Sequence, residues 1–377
     1  MSKPIAYLPE AIFTGSNIIH NHAVVVQDGI IVQVVPTVTV DKNSYHCVTL
    51  TNKILLPAFL DMQLYGAAGK LLSANPTVES VAAIADFCYA NGTHYCLPTV
   101  ATNAKEIIYT SIDAVKEYIS KGGKHVLGIH IEGPWISLEK RGAHIAKYIH
   151  MPTIQEVETL IAYGKGCIKM ITLAPEVCSK EIIQLLQNNN IIVAAGHSNA
   201  TYNEAIDSFN KGINCATHLY NAMSGLQHRS PGMVGAIFNH SSVRASIIPD
   251  GHHVSYEAVA IAHKIMGNDR LYAITDAVTS TTMGDYTHTL VGDKYETNGI
   301  LSGSALTMFQ AFKNLVFQVH IPPTDAAKMC NWIPAKVLQH GDSIGLLKKG
   351  YIANIIATDK DFSFVENICF NDARMPF

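Results

Sequence analysis

The chain has 377 residues, 48% of them hydrophobic and only 15% charged. That length supports a core that needs no disulfides, and that composition excludes a disordered chain. Lysine and arginine number 27 against 30 aspartates and glutamates, a formal net charge of -3, so no basic surplus is available for nucleic acid.

The N-terminal run from Ile5 to Glu10 is too short for a signal peptide and lacks a cleavage-type ending. No apolar stretch reaches bilayer length. The 8 cysteines are scattered without a C-x-x-C pair, which fits reduced thiols. A cytoplasmic chain with no membrane partner is expected.

The first 55 or so residues read as β-structure. Val24-Val25-Val26-Gln27 and Ile30-Ile31-Val32-Gln33 flank Asp28-Gly29, a strong hairpin signal because both turn residues tolerate positive φ. A further strand is expected over 37–40.

From Leu56 short apolar runs alternate with segments of helical period. Strands are predicted at 58–63, 95–99, 126–132, 168–173, 191–195, 214–218, 245–249 and 271–275. Helices are predicted at 77–89, 105–119, 154–163, 180–187, 202–209 and 256–266. Asn103, Thr153, Ser179 and Ser255 are the expected N-caps. Apolar strands alternating with helices imply parallel strands covered on both faces. Eight of them suggest a closed (β/α)8 barrel, a TIM-type fold. An open doubly wound sheet would want a Gly-rich phosphate turn after its first strand. Tyr65-Gly66-Ala67-Ala68-Gly69 only approximates one, so the barrel is preferred.

A polar, Thr- and Gly-rich stretch over 279–299 has hairpin character. Helices are expected at 305–319 and 326–339, and a last strand at 353–357. The terminal β-segments could pair, giving a small flanking β-sandwich from residues 1–56 and 345–377 beside a catalytic barrel over 57–344.

Barrel enzymes keep their chemistry at the C-terminal strand ends, and the polar residues here fall there. Glu132 ends the third strand, His197 follows the fifth, His218 ends the sixth and Asp276 follows the eighth. One carboxylate and two imidazoles with an open fourth position make a catalytic metal set. Taken singly, each has an ordinary alternative: a strand-end glutamate caps helices, and a histidine beside Ser or Thr is often structural. Asp276 could move a proton between water and a leaving amine, or simply cap a turn. His253 could polarise a carbonyl, or lie in a surface loop as His252 is expected to. His144 could touch substrate hydroxyls or be solvated. Asn221, Ala222 and Arg229 follow the sixth strand and would suit a compact anion such as a phosphate monoester.

The runs Pro57-Ala58-Phe59-Leu60-Asp61-Met62-Gln63, His130-Ile131-Glu132-Gly133-Pro134-Trp135, Gly196-His197-Ser198-Asn199-Ala200-Thr201 and Thr217-His218-Leu219-Tyr220-Asn221-Ala222-Met223 resemble those of the N-acetylglucosamine-6-phosphate deacetylases of the amidohydrolase superfamily. Asp250-Gly251, His253, Thr275-Asp276-Ala277 and Leu301-Ser302-Gly303-Ser304 agree in the same order. The resemblance implies one divalent metal, zinc first and iron(II) as the alternative, held by Glu132, His197 and His218. It implies Asp276 as general acid/base, and His253, His144, Asn221, Ala222 and Arg229 as sugar or phosphate contacts. It also implies a homodimer in which Arg229 reaches the neighbouring subunit's phosphosugar. Many superfamily members place His-x-His at the first strand end to bind a second metal. Here Asp61 and Gln63 stand there, and a carboxamide is a poor transition-metal ligand; no Lys ends the fourth strand either, so a single metal is expected. Tyr65 stands where these deacetylases usually carry Asn. The implied reaction is deacetylation of N-acetyl-D-glucosamine 6-phosphate in amino-sugar catabolism. The rivals are the N-acetylgalactosamine 6-phosphate epimer as substrate, or a catalytically silent barrel that binds ligands.

Overall fold

The structure, a computed structural model, describes residues 3–15, 17–297 and 299–371. Five strands open the chain: β1 (Ile5–Phe13), β2 (Ile18–His20), β3 (His22–Gln27), β4 (Ile30–Pro36) and β5 (His46–Pro57). Asp28 and Gly29 join β3 to β4 with φ of 49° and 76°, the doubly left-handed turn that Asp-Gly favours. The strand expected over 37–40 is instead a 3-10 turn, Thr37–Thr39. The β3–β4 ladder ends at the His22–Pro36 pair. Beyond it Thr39 donates back to the Pro36 carbonyl at 2.8 Å.

The alternating region then runs β6 (Phe59–Leu64), a small hairpin of β7 (Gly66–Ala67) and β8 (Lys70–Leu71), α1 (Val78–Ala90), β9 (Thr93–Ala101), α2 (Lys105–Ser120), β10 (Ile129–Glu132), α3 (Ile154–Gly164), β11 (Ile168–Leu173), α4 (Lys180–Asn188), β12 (Ile192–Ala195), α5 (Tyr202–Asn210), β13 (Cys215–Ala216), α6 (Gly232–Asn239), β14 (Arg244–Ile247), α7 (Tyr256–Met266) and β15 (Leu271–Ala273). β6 and β9 through β15 lie side by side in chain order, every neighbour parallel. The row closes at its mouth. Asp276 N donates to Gln63 O at 2.9 Å, and Tyr65 N to Ala277 O at 2.8 Å. This is the expected barrel. β9 is buried at every position, as a strand must be when side chains fill the barrel inside and helices cover it outside.

The side chains of the N-caps Thr77, Thr153, Ser179, Ser255 and Thr307 each accept from a backbone amide in the first turn of their helix. Thr201 adds a full capping box with Glu204. Asn103 is not the cap of α2. Its side chain accepts from the amide of Ala104, the next residue, which is a local turn bond, and Ala104 takes the cap position without a side-chain bond.

After β15 come β16 (Thr289–Val291), β17 (Lys294–Thr297) and β18 (Ile300–Ser304), an antiparallel sheet of three strands. It is sewn to the barrel mouth by Ser304 N to Asp276 O at 3.0 Å and Val278 N to Ser304 O at 3.1 Å. α8 (Met308–Phe317) follows. The helix expected over 326–339 is two, α9 (Pro323–Cys330) and α10 (Trp332–Val337). Pro334 would clash with the Cys330 carbonyl in a continuous helix and has no amide to give it, so the chain breaks at Asn331. Last come β19 (Ile355–Thr358) and β20 (Glu366–Cys369).

The terminal strands do pair. They form a sheet in the order β20-β19-β5-β1-β3-β4, with β2 on β1. Tyr7, Ile12, Val24, Ile31, Leu55 and Ile355 belong to a core of its own, separate from that of the barrel. No helix among the described residues is long and apolar enough to cross a membrane.

Candidate active site

The barrel mouth is built by chain reversals at strand ends. His197, His218, Ala222 and Asp276 have φ of 47°, 33°, 50° and 54°, a left-handed backbone that costs non-glycine residues energy and gathers at functional sites. The reversals at His197, His218 and Asp276 come just after β12, β13 and β15 and leave those polar side chains in the mouth. Glu132 needs none, because it is the last residue of β10.

Glu132 is 1% exposed, and a buried carboxylate needs partners. Its Oε1 lies 3.0 Å from His218 Nε2 and 3.3 Å from His197 Nε2. The two Nε2 atoms are 3.1 Å apart. A tetrahedral ion with bonds of about 2.0 to 2.1 Å has donor–donor edges of about 3.3 Å, so the three atoms stand as the edges of a metal site require. The donor chemistry agrees. His197 Nδ1 faces the Lys140 carbonyl at 2.9 Å; a carbonyl only accepts, so Nδ1 carries the proton and Nε2 presents its lone pair inward. Burial alone would raise the Glu132 pKa, but the imidazoles of His197, His144 and His218 hold it well below the usual carboxylate range.

His144 joins the same cluster. Glu132, His144 and His197 offer ligand atoms within 4.8 Å of one another. His144 Nε2 lies 3.1 Å from Glu132 Oε2, the oxygen turned away from the His197–His218 pair. That makes it a donor to the carboxylate, and the edge lengths favour His218 as the third ligand.

Gln63 sits between the two carboxylates. Its Nε2, with two N–H donors, lies 3.0 Å from Glu132 Oε1, 3.0 Å from Asp276 Oδ1 and 2.8 Å from the Tyr65 hydroxyl. An amide NH2 has no lone pair for a cation, and here it fills the space between the carboxylates. Asp276 is 9% exposed; burial pushes its pKa up, against the nearby imidazoles of His218 and His253. His253 is oriented by Asp250, whose Oδ2 lies 2.6 Å from Nδ1. Its Nε2 points across the mouth, 3.9 Å from Asp276 Oδ2.

Glu132, His197, His218, His253 and Asp276 line one cleft of about 820 Å³, with Tyr65, His144, Asn221, Ala222, Tyr286 and His288 among its walls. His252 instead pairs with Asp293 at 2.8 Å outside it. Arg229 is exposed on a turn between Gln227 and Ser230 and does not line the cleft. None of the described residues lining it is a lysine or an arginine. Sequence reasoning gave no role to Tyr286, His288 and Ser302, delivered by the small sheet and the segment before it. His288 Nδ1 lies 2.8 Å from Ser302 Oγ, and Tyr286 donates to the Thr102 carbonyl at 2.6 Å. Their segment has no core period, and histidines in a polar stretch were its one signal.

The NagA composite domain matches residues 10–47. An N-acetylglucosamine-6-phosphate deacetylase of Haemophilus influenzae is 33% identical over 95% of this chain and 96% of its own. An N-acetylgalactosamine-6-phosphate deacetylase of a Shewanella species is 31% identical over 93% of this chain and 91% of its own. The crystal structure of N-acetylglucosamine-6-phosphate deacetylase from Pasteurella multocida superposes with a TM-score of 0.90 at 32% identity, covering 96% of this chain and 97% of that one. The sequence model of the amidohydrolase family matches residues 54–374, from the end of β5 through the barrel and past β20, and the chain belongs to that family.

Proposed function

We propose that this chain is a metal-dependent amide hydrolase that converts N-acetyl-D-glucosamine 6-phosphate and water to D-glucosamine 6-phosphate and acetate. The observation that carries the reading is the meeting of Glu132 Oε1, His197 Nε2 and His218 Nε2 at metal-site spacing, across the cleft from Asp276. Glu132, His197 and His218 would hold one divalent ion, zinc before iron(II), since both suit a nitrogen and oxygen set. When bound, that ion supplies the Lewis acidity that polarises an amide carbonyl and acidifies water. Gln63, whose NH2 faces both carboxylates, offers a second ion neither charge nor a lone pair there.

Asp276 is the proton carrier. It accepts a proton from the attacking water and returns it to the departing sugar amine as the C–N bond breaks. Its place beside Gln63 lets the amide NH2 orient Oδ1 while Oδ2 faces the cleft. His253, fixed by Asp250, offers Nε2 to the oxygen of the scissile carbonyl as negative charge gathers there. His144, Asn221 and the Ala222 backbone contact the sugar and its phosphate, which hold the amide in register. A phosphate dianion in a cleft without lysine or arginine lacks a cation. We assign that cation to Arg229 of a second copy, which makes the active form a homodimer. The location in this reading is the cytoplasm.

The test is metal content measured beside acetate release. The purified protein carries about one divalent ion per chain; chelation abolishes acetate release and returning the ion restores it. Full turnover by metal-free protein would end the proposal, and metal binding without acetate release would favour a silent ligand-binding barrel. The Shewanella relative supports a second reading, N-acetyl-D-galactosamine 6-phosphate as the preferred substrate; kcat/KM on the two epimers decides between them.

A further inference from the structure

The two oxygens of Glu132 are not equivalent. Oε1 faces His197, His218 and the Gln63 amide. Oε2 receives His144 Nε2 at 3.1 Å and the hydroxyl of Tyr65. Tyr65 has few other positions open to it. It is 8% exposed, its amide is tied to the Ala277 carbonyl at 2.8 Å, and its own carbonyl accepts from Leu72 N at 2.9 Å. Its ring is packed with Leu71, Ala101, Val278 and Tyr286. The same hydroxyl accepts from Gln63 Nε2 at 2.8 Å, so its proton is free to go to the carboxylate.

We propose that Tyr65 is a positioning residue for the metal site, acting through Glu132. By occupying Oε2 from a rigid wall, its hydroxyl keeps Glu132 a one-oxygen ligand and leaves the fourth coordination position to water. Without it, Oε2 keeps only His144 and can swing toward the ion. The carboxylate would then bind through both oxygens, raise the coordination number and take the space the water needs. The inference rests on the ligand set proposed above, and its test does not need the substrate.

The experiment compares the unsubstituted protein with Tyr65→Phe, which removes one hydroxyl and keeps the ring. Zinc affinity is measured by competition with a chromophoric chelator, and the cobalt(II)-loaded proteins are compared by visible absorption. Loss of a hydrogen bond to a metal ligand weakens affinity about 10- to 100-fold, and that range is expected. The intense four-coordinate cobalt bands should give way to the weaker bands of higher coordination. Tyr286→Phe is the companion. It removes a hydroxyl from the same wall whose hydrogen bonds go to the backbone of Thr102 and Ile145 and not to Glu132, so its zinc affinity and cobalt spectrum should match the unsubstituted protein. Thermal unfolding of the metal-free proteins reports whether each variant folds. Unchanged affinity and spectrum in Tyr65→Phe overturns the proposal, and so does an equal change in Tyr286→Phe, which would mean that wall packing is responsible. An unsubstituted protein that bound no metal would overturn the ligand set itself, and Tyr65 with it.

Discussion

At the scale of single residues, the mouth assigns different work to two carboxylates by giving them different neighbours. Glu132 is surrounded by three imidazoles that hold its pKa well below the usual carboxylate range against its burial, as a metal ligand would need. Asp276 is buried with an amide donor on one oxygen and His253 3.9 Å from the other, and burial pushes its pKa up. A carboxylate raised in this way is the better base. Asp276→Asn keeps the shape and the hydrogen-bonding capacity but cannot carry the proton. It should retain about one metal per chain and near-normal KM while kcat falls by about 100- to 10,000-fold. Metal analysis and steady-state acetate release check this, and turnover within a few-fold of the unsubstituted enzyme would remove Asp276 from the proton path. Glu132, His197, His218, His253 and Asp276 could be picked from sequence because each lies at or shortly after the end of a barrel strand, and strand ends share one rim. Tyr65 could not be given its hydrogen bond that way, since its partners Gln63 and Glu132 come from different strands.

At the scale of elements, the seam between the barrel and the terminal sheet contains a pH-sensitive contact. His94 lies in β9 with no exposure, and its Nε2 meets Asn367 Oδ1 of β20 at 2.9 Å. It sits among Tyr89, His125 and Phe370, with ring centroids 5.3 Å from Tyr89 and from Phe370. Burial depresses its pKa to about 4, against an ordinary imidazole value of 6.5. The unfolded chain therefore takes up a proton below pH 6.5 that the folded chain refuses. The stability that His94 contributes is present above about pH 6.5 and is lost as pH falls toward 4. Between pH 7 and 5 that loss is about 2 kcal/mol. Urea unfolding at the two pH values should show His94→Gln losing less stability over this interval than the unsubstituted protein; equal losses would place the acid sensitivity elsewhere. This seam also marks a limit of sequence reading. The eight barrel strands and the 28–29 hairpin were legible because each carries its own local period or turn. β20 was not, because its sequence makes sense only against β19, and α6 was hidden by Pro231, Gly232 and Gly235, whose helical use depends on packing.

At the scale of the whole molecule, a phosphorylated sugar would meet no lysine or arginine in the cleft of a single chain among its described lining residues. The cleft has imidazoles, an amide and backbone donors, whereas Arg229 is exposed outside it. If Arg229 completes the cleft of a second copy, Arg229→Ala should raise KM for the phosphorylated sugar at least 10-fold, about the 1.4 kcal/mol of one weakened charge-assisted contact, and leave kcat within a few-fold. The same arrangement makes a sharper demand. In a C2 dimer with shared sites, Arg229→Ala and Asp276→Asn damage each site from opposite subunits. Refolding or co-expressing the two impaired variants together would build mixed dimers in which one site has both an intact Asp276 and an intact Arg229. Random pairing at equal amounts makes half the dimers mixed, each with one good site of two, so activity at low substrate should return to about a quarter of the unsubstituted level. A mixture no more active than the average of its parents would mean that Arg229 serves its own protomer or no phosphate at all, and the cation would have to be sought elsewhere on the chain.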